Sequence, residues 1–362
     1  MQLRLDRRPA PSRAMMFLSP LLAVALSLVT FFIVFAIMKI DPFQALYLYF
    51  IDPLTAGWSI EDLLVKAAPI ILIGIGLAVC YQSNVWNIGA EGQLAAGAIC
   101  GSILPVYFPD WQGPEVIVFM LLLGILGGMA YAAIPAFLKN RFNANETLTT
   151  LMLVYVANLM VDYLARTPWR DPAGHNFPNS RQFTGGQILP VIFGDSVRIS
   201  VVFVIIVVVA AWFMTERTMT GFKIRVLGQS PRAAAFGGFD RKRMVYLAFL
   251  ISGGLAGLAG ICEVAGPIGQ FRTTISPGYG FTAIIVAFLG RLHPVGILIA
   301  GLLLALSYMG GEGAQIALGV SDQTTQVFQG MLLFYVLACD TLIYYRLRLV
   351  RRGVLEAARA AG

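Results

Sequence analysis

The sequence is divided into long charge-free intervals, and no other feature constrains the fold as strongly. Ten of these intervals are about as long as the roughly 20 residues that a helix needs to cross a bilayer. They cover residues 14–38, 67–90, 92–109, 116–138, 147–161, 199–215, 244–262, 273–290, 292–311 and 323–339. Charged residues make up only 12% of the chain, whereas about a quarter is usual in water-soluble proteins. The intervals therefore predict a membrane protein and exclude a soluble globular fold.

We predict an all-α polytopic membrane protein with about ten transmembrane helices. Eight is the lower limit, because the intervals 147–161 and 323–339 are short and polar for single spans. With the N-terminus in the cytoplasm, alternating spans place 19 of the 26 Lys and Arg residues on the cytoplasmic side. The positive-inside rule therefore predicts that both termini are cytoplasmic, and it explains the net charge of +7 without a nucleic-acid partner.

Two segments interrupted by Gly and Pro occur at corresponding places in the two halves of the chain. The first, residues 82–93, follows the second span, and the other, residues 267–280, lies between the seventh and eighth spans. Paired interruptions of this kind indicate an inverted-repeat transporter. We predict that spans 2–5 and 7–10 are inverted copies within one permease domain, residues 1–362. Its predicted parts are a cytoplasmic tail (1–13), a first repeat (63–165), an extracytoplasmic loop (166–198), a cytoplasmic coupling loop (217–243), a second repeat (244–345) and a cytoplasmic tail (346–362).

The first interrupted segment, QSNVWNIGAEGQ, is a polar stretch between two apolar runs. One interpretation is a cytoplasmic turn whose Asn and Gly residues cap two helices. The other is an unwound segment that lines a wet cavity at membrane depth. On the second interpretation, Asn84, Asn87, Glu91 and Gln93 face a translocation path or a partner subunit. Glu91 is the strongest candidate, since an ionisable group this close to the bilayer usually has a function or a partner.

The cytoplasmic loop contains a short helix whose start and end are both marked in the sequence. Ser230 is suited to cap its start, three alanines form its body, and Gly237 and Gly238 end it. A helix of about two turns is not stable alone in water. It therefore either lies on the membrane surface or inserts into a groove of a cytoplasmic partner, with Phe236 and Phe239 as apolar anchors.

The sequence holds no motif for chemistry of its own. There is no phosphate-binding loop of the G-x-x-x-x-G-K-[ST] type, and the four cysteines lie inside apolar runs. We predict no catalytic residue, no metal site and no cofactor bound by this chain.

Four passages resemble the permease subunits of bacterial ABC importers of the ribose and branched-chain amino acid type, and most closely the general nucleoside importer permeases. They are Asn84 to Gly97 (NVWNIGAEGQLAAG), Asn145 to Asn158 (NETLTTLMLVYVAN), Gly221 to Gly260, and Gly278 to Gly296 (GYGFTAIIVAFLGRLHPVG). The chain departs from the second passage at Val154, where many members of the family have Asn.

The resemblance implies a multi-pass protein of the bacterial inner membrane that imports nucleosides, or related ribose-containing or simple sugar solutes, by alternating access. It implies four partners: an ATPase with two cassette modules that binds ATP and Mg, a second permease that is a paralogue or a copy, an extracytoplasmic substrate-binding lipoprotein, and membrane lipid. It also implies that the loop helix is the coupling helix to the ATPase. The predicted coupling residues are Ser230, Pro231, Arg232, Ala233, Ala234, Ala235, Phe236, Gly237, Gly238 and Phe239.

For a nucleoside, further pathway candidates are the side chains able to stack on a base or bond to ribose. Trp86 and Phe281 are of the type that stacks, and Thr282 is of the type that exchanges hydrogen bonds. An interfacial position for Trp86 and a core position for Phe281 are the simpler interpretation of each ring taken singly.

Two other classes of protein are possible from the residues alone. An ion-coupled secondary transporter needs intramembrane carboxylates, and the candidates Glu91, Asp162 and Glu263 all lie at interval ends. An intramembrane enzyme needs a metal or nucleophile constellation, and the two histidines of the sequence provide none.

Overall fold

The fold was determined as a computed structural model. It describes residues 2–8, 12–55, 57–174, 176–321 and 323–350, so residues 351–362 of the predicted C-terminal tail lie outside the described residues. The helices are α1 (Arg13–Ile37), α2 (Pro42–Phe50), α3 (Gly57–Gln82), α4 (Ala90–Tyr107), α5 (Glu115–Phe142), α6 (Glu146–Arg166), α7 (Ser200–Arg217), α8 (Met219–Gln229), α9 (Pro231–Phe236), α10 (Arg241–Glu263), α11 (Tyr279–Leu289), α12 (Pro294–Leu318) and α13 (Gln323–Tyr344). Short strands are β1 (Gln2–Arg7), β2 (Asn179–Gln182), β3 (Val191–Phe193), β4 (Val197–Arg198), β5 (Gln270–Arg272) and β6 (Tyr345–Val350).

Within the described residues, eight helices are long and apolar enough to cross a membrane, which confirms the predicted range of eight to ten. They are α1, α3, α5, α6, α7, α10, α12 and α13. The other two intervals behave differently. Helix α4 contains Glu91 and Gln93 near its start, and α11 has only 11 residues, or about 16 Å of helix. The prediction that residues 273–290 form a full span was therefore wrong, because Pro277 and Gly278 delay the start of the helix.

The described chain forms two compact units. One comprises residues up to Leu48 and from Ala314 onward, where α1 packs along α13 and β1 pairs antiparallel with β6. The Ser19 hydroxyl donates a hydrogen bond to Asp340 Oδ1 at 3.0 Å in this unit.

The other unit, Tyr49–Gly313, holds the interior of the helix bundle. Helix α10 packs against α3, α4 and α5, and its glycines, Gly253 and Gly257 among them, allow a close approach of the helix backbones. A Cβ atom on Gly257 would lie 3.0 Å from the Cα atom of Gly128 on α5. Outside the helices, β2 pairs antiparallel with β5, and β3 with β4.

Candidate functional site

The polar stretch after α3 folds as an irregular loop, residues 83–89, that is bound into the bundle interior. Its centre is Asn87, which is fully buried. The side-chain NH2 group donates to Gln93 Oε1 at 3.1 Å and to Ser252 Oγ at 3.0 Å. The side-chain oxygen accepts from the Gly89 N–H at 2.9 Å and from Gln93 Nε2 at 3.2 Å. All the hydrogen-bonding capacity of the Asn87 amide is therefore used to join the loop to α4 and α10.

Glu91 lies in the first turn of α4 and is only 6% exposed. Its Oε2 atom accepts a hydrogen bond from the backbone N–H of Gly280 at 2.6 Å. Gly280 belongs to the first turn of α11, where N–H groups lack partners inside the helix and the helix dipole favours negative charge. The Glu91 carboxyl group also interacts with the Ser276 hydroxyl, which accepts the N–H groups of Gly278 and Tyr279. Glu91 thus ties together the N-terminal ends of two interior helices.

The two candidates on α11 point in different directions. Thr282 is buried, and its hydroxyl lies 2.8 Å from the Tyr308 hydroxyl of α12. Phe281 is 41% exposed. The structure therefore places Thr282 in the bundle interior with Asn87, Glu91 and Gln93, and it places Phe281 on the outer side of α11.

Asn84 and Trp86 are the exposed candidates of the loop. The Trp86 side chain is exposed, and its ring stacks on Phe288 with a centroid distance of 6.1 Å and lies 5.5 Å from the Tyr81 ring. Asn84 is exposed, adopts a left-handed backbone (φ 56°), and lines a small crevice beside Pro231. Neither residue belongs to the buried network: Asn84 lies beside the start of α9, and Trp86 packs on Tyr81 and Phe288.

Sequence reasoning missed several polar residues that complete this network. Ser252 binds Asn87, the Thr150 hydroxyl accepts the Ile88 N–H at 3.2 Å, and the Tyr81 hydroxyl donates to the Asn87 carbonyl at 2.9 Å. These residues could have been found as hydroxyl groups on otherwise apolar spans, because burying a hydroxyl group costs free energy unless it has a hydrogen-bond partner.

The predicted loop helix is present as α9, and its capping confirms the expected punctuation. Ser230 is the N-cap, with its side chain accepting the Ala233 N–H at 3.3 Å, and Pro231 occupies the first position of the helix. Gly237 is the C-cap, and Gly238 has a left-handed φ of 71°. Phe236 is 94% exposed, whereas Phe239 is half-buried against Phe222 of α8 and beneath the Lys223 ammonium group.

The exposure of the helix is uneven. Ala234 is fully buried, while Arg232, Ala233 and Ala235 are exposed together with Phe236. One side of α9 therefore packs against the rest of the protein, and the opposite side presents apolar residues and one cation to solvent.

A chain of contacts connects α9 with the buried network. A Cβ atom on Gly228, at the end of α8, would lie 3.5 Å from the Asn84 backbone nitrogen. Gln82, which ends α3, donates through Nε2 to the Leu292 carbonyl at 2.6 Å in the turn between α11 and α12. The segment between α3 and α4 therefore contacts the loop that carries α9 on one side and the end of α11 on the other.

Val154, where the chain departs from the family pattern, is a buried packing residue. Its side chain is 2% exposed, and its Cα atom would lie 3.0 Å from a Cβ atom placed on Gly92. Position 154 is therefore a tight packing position between α4 and α6 in this chain.

Comparison with known protein families matches residues 59–337 to the family described as branched-chain amino acid transport system, permease component. The match covers well over half of the chain and includes all the site residues described above.

Individual relatives agree with this match. The chain is 32% identical to a glucose ABC transporter permease protein of Haloferax volcanii, over 100% of this chain and 98% of the relative. It is 26% identical to a nucleoside ABC transporter permease protein of Lactococcus lactis, over 88% of this chain and 90% of the relative. It is 27% identical to a guanosine ABC transporter permease protein of Bacillus subtilis, over 80% of this chain and 83% of the relative.

Proposed function

The chain belongs to the family of branched-chain amino acid transport system permease components, and on this premise we propose that it carries a neutral, hydroxyl-rich solute, a nucleoside or a simple sugar, across the membrane. Members of this family are ABC transporter permease subunits, which are not enzymes themselves and which work with an ATPase partner. With eight apolar spans among its described residues, the chain is a multi-pass protein of the inner membrane.

The exposed face of α9 is the observation on which the coupling part of the proposal rests. Phe236 is 94% exposed at the tip of a capped helix of six residues. A fully exposed Phe on so short a helix needs a partner that buries it, as in other cases where a helix docks in a groove. We assign this partner role to an ATPase with two cassette modules that binds ATP and Mg, and we place α9 and both termini in the cytoplasm.

The solute class is supported by the chemistry of the interior. Asn87, Gln93, Ser252 and Thr282 offer amide and hydroxyl groups, which exchange hydrogen bonds with hydroxyls and base edges. Relatives named for glucose, nucleosides and guanosine transport solutes of this kind. The complete importer in this proposal also contains a second permease, a paralogue or a copy, and an extracytoplasmic substrate-binding lipoprotein.

The pairing of helices supports alternating access by two inverted repeats. Helix α3 packs against α11, and α10 packs against α4. If one repeat begins with α3 and α4 and the other with α10 and α11, the first helix of each repeat packs against the second helix of the other. Movement of α9 with the ATPase would then shift one repeat against the other and open the interior to alternate sides.

A secondary transporter is less well supported by the carboxyl groups that the sequence offers for ion coupling. Asp162 forms an ion pair with Arg166 at 2.7 Å, and Glu91 is bound to the start of α11. Glu263, the third candidate, shares its cavity with Lys66 and Arg272, whose positive charges disfavour a bound cation. Family membership points in the same direction, towards coupling to an ATPase.

The test is capture of the ATPase from detergent extract together with uptake of labelled uridine, guanosine and glucose into cells. The double variant Ala235→Asp plus Phe236→Asp should lose both the ATPase and uptake while its level in the membrane stays unchanged. Phe177→Asp is the matched control, since Phe177 is also exposed (67%) but lies in the loop between α6 and α7. Uptake that persists in the double variant without a bound ATPase would overturn the proposal.

A further inference from the structure

A polar cavity of about 350 Å³ lies in the Tyr49–Gly313 unit where α3, α10, α11 and α12 converge. The polar side chains that line it include Lys66, Glu263, Arg272, Ser276, Tyr279 and Glu312. The volume falls within the range of about 300–1,000 Å³ that small-molecule sites occupy. Two acidic and two basic side chains line it, so the lining carries no net charge.

Among the charged groups of the lining, Glu263 is the one whose hydrogen-bonding capacity is unused. It is the last residue of α10 and only 9% exposed, and in the part of the chain that the structure describes its carboxyl group has no direct hydrogen bond or ion pair. The neighbouring charges are already engaged: Lys66 Nζ lies 2.5 Å from Glu312 Oε1, and Arg272 Nε donates to the Thr274 carbonyl at 2.7 Å. The carboxyl group lines the cavity, so its oxygens are available to accept hydrogen bonds from a molecule bound there.

The position of the cavity relative to α9 follows from α10. Arg241 starts α10 five residues after the end of α9 at Phe236, and Glu263 ends it. The 23 residues of α10 span about 34 Å at 1.5 Å per residue, which is close to the thickness of the hydrocarbon core. Glu263 therefore lies at the opposite side of the bilayer from α9.

The cavity also touches the contact that holds α4 and α11 together. Ser276 lines the cavity, and its hydroxyl interacts with Glu91. Glu91 in turn binds Gly280. A ligand in the cavity is thus one side chain away from the junction of the two interior helices.

We propose that this cavity is the entry subsite of the permease on the side away from the ATPase, and that the Glu263 carboxyl group binds adjacent hydroxyls of a neutral sugar or ribose unit. The two oxygens of a carboxyl group match two neighbouring hydroxyl donors. A lining without net charge fits a neutral ligand, since an ionic one would leave a charge uncompensated in a largely buried site. The inference rests on the proposed function, because it assumes that the chain moves a hydroxyl-rich solute.

The test measures ligand protection of a cysteine at the rim of the cavity. Thr274 is exposed and lines the cavity, so Thr274→Cys in full-length chain within membrane vesicles should react with a membrane-impermeant maleimide. Cys100→Ala is added to the background, because the other three cysteines are buried. Uridine, ribose and glucose are the probes, and uridine 5′-monophosphate is the charged comparison.

We expect at least one neutral probe to slow the labelling and the monophosphate to do so less well. Glu263→Gln should raise the concentration needed for half-protection by about tenfold or more, since a hydrogen bond to a charged group is lost. Glu61→Gln is the matched control, because Glu61 accepts the N–H groups of Asp195 and Ser196 and does not line the cavity. Glu263→Asp, which withdraws the carboxyl group by one methylene, gives a second variant if the Gln variant does not reach the membrane.

Two results would overturn the assignment: no protection by any neutral probe, or protection that is unchanged in both Glu263 variants. Stronger protection by the monophosphate than by uridine would overturn the neutral class of ligand. Failure of the proposed function gives a different pattern, in which uptake does not depend on α9 while protection at Thr274→Cys is intact.

Discussion

The Glu91 carboxyl group accepts the backbone N–H of Gly280 at 2.6 Å, across 189 residues of sequence. This bond joins the first turn of α4 to the first turn of α11, and it places a carboxyl group where both helices have free N–H groups. The two helices occur at corresponding places after α3 and α10. A movement that separates α4 from α11 must break or shift this bond, so the junction is a natural place for a gate.

Gly280→Ala should disrupt the junction. A Cβ atom at this position would lie 2.6 Å from Glu91 Cα and 2.8 Å from Glu91 Oε2, and overpacking of this kind costs about 1–3 kcal/mol. We expect a lower apparent Tm of the purified chain and a severe loss of solute uptake. Gly313→Ala is the control, because a Cβ atom there meets nothing within 4 Å. Equal behaviour of the two variants would show that the junction is not tightly packed.

Asn87→Ala should destabilise the interior. The substitution removes four side-chain hydrogen bonds and leaves Ser252 and Gln93 with unsatisfied polar groups, each of which costs about 1–3 kcal/mol. Thermal unfolding followed by tryptophan fluorescence should show a lower Tm than for wild type. Asn84→Gly is the comparison, since Asn84 is exposed and its left-handed backbone suits Gly. A larger shift for Asn84→Gly than for Asn87→Ala would contradict this assignment.

Local features of the fold could be predicted from the sequence because local rules determine them. The charge-free intervals located the spanning helices, and Ser230 and Gly237 marked both ends of α9. The late start of α11 could not be predicted from an interval, because it depends on Pro277 and on the left-handed backbone of Gly278 (φ 105°), which the charge-free intervals do not record.

Contacts between distant segments were beyond the reach of the sequence. Glu91 stood out as an ionisable residue, but its partner is a backbone N–H group 189 residues away, which leaves no side-chain signal. Asn84 and Asn87 looked equivalent in the sequence, and only the turn after α3 separates them into an exposed and a fully buried side chain. Glu263 was notable only as a carboxyl group at an interval end, since the cavity around it is built from four helices.

Ser230→Ala should weaken coupling without affecting insertion into the membrane. The Ser230 side chain caps α9 by accepting the Ala233 N–H, and loss of an N-cap costs about 0.5–2 kcal/mol. A helix of six residues cannot absorb this loss, because short helices are marginal even when intact. Less ATPase should copurify with the variant, and ATPase-dependent uptake should fall in parallel. Ser230→Gly should behave much more like wild type, since Gly is tolerated at the N-cap; equal losses in both variants would point to a direct contact of the hydroxyl with the partner.

Asn158 should face water or protein rather than lipid. It lies at the middle of α6 on the exposed side, and among the described residues no hydrogen bond to its side chain is found. A free amide in hydrocarbon is costly, whereas the exposed face of α7 consists of apolar residues such as Ile206 and Val209.

In the assembled transporter, Asn158→Cys should react with a water-soluble maleimide, or be protected only while a second permease is bound, and Asn158→Leu should impair uptake or assembly. Val209→Cys is the control at a similar depth and should be unreactive in either case. If Asn158→Cys remains unreactive after the permease subunits are separated in the bilayer, and Asn158→Leu transports normally, this face of α6 lies against lipid and the prediction is wrong.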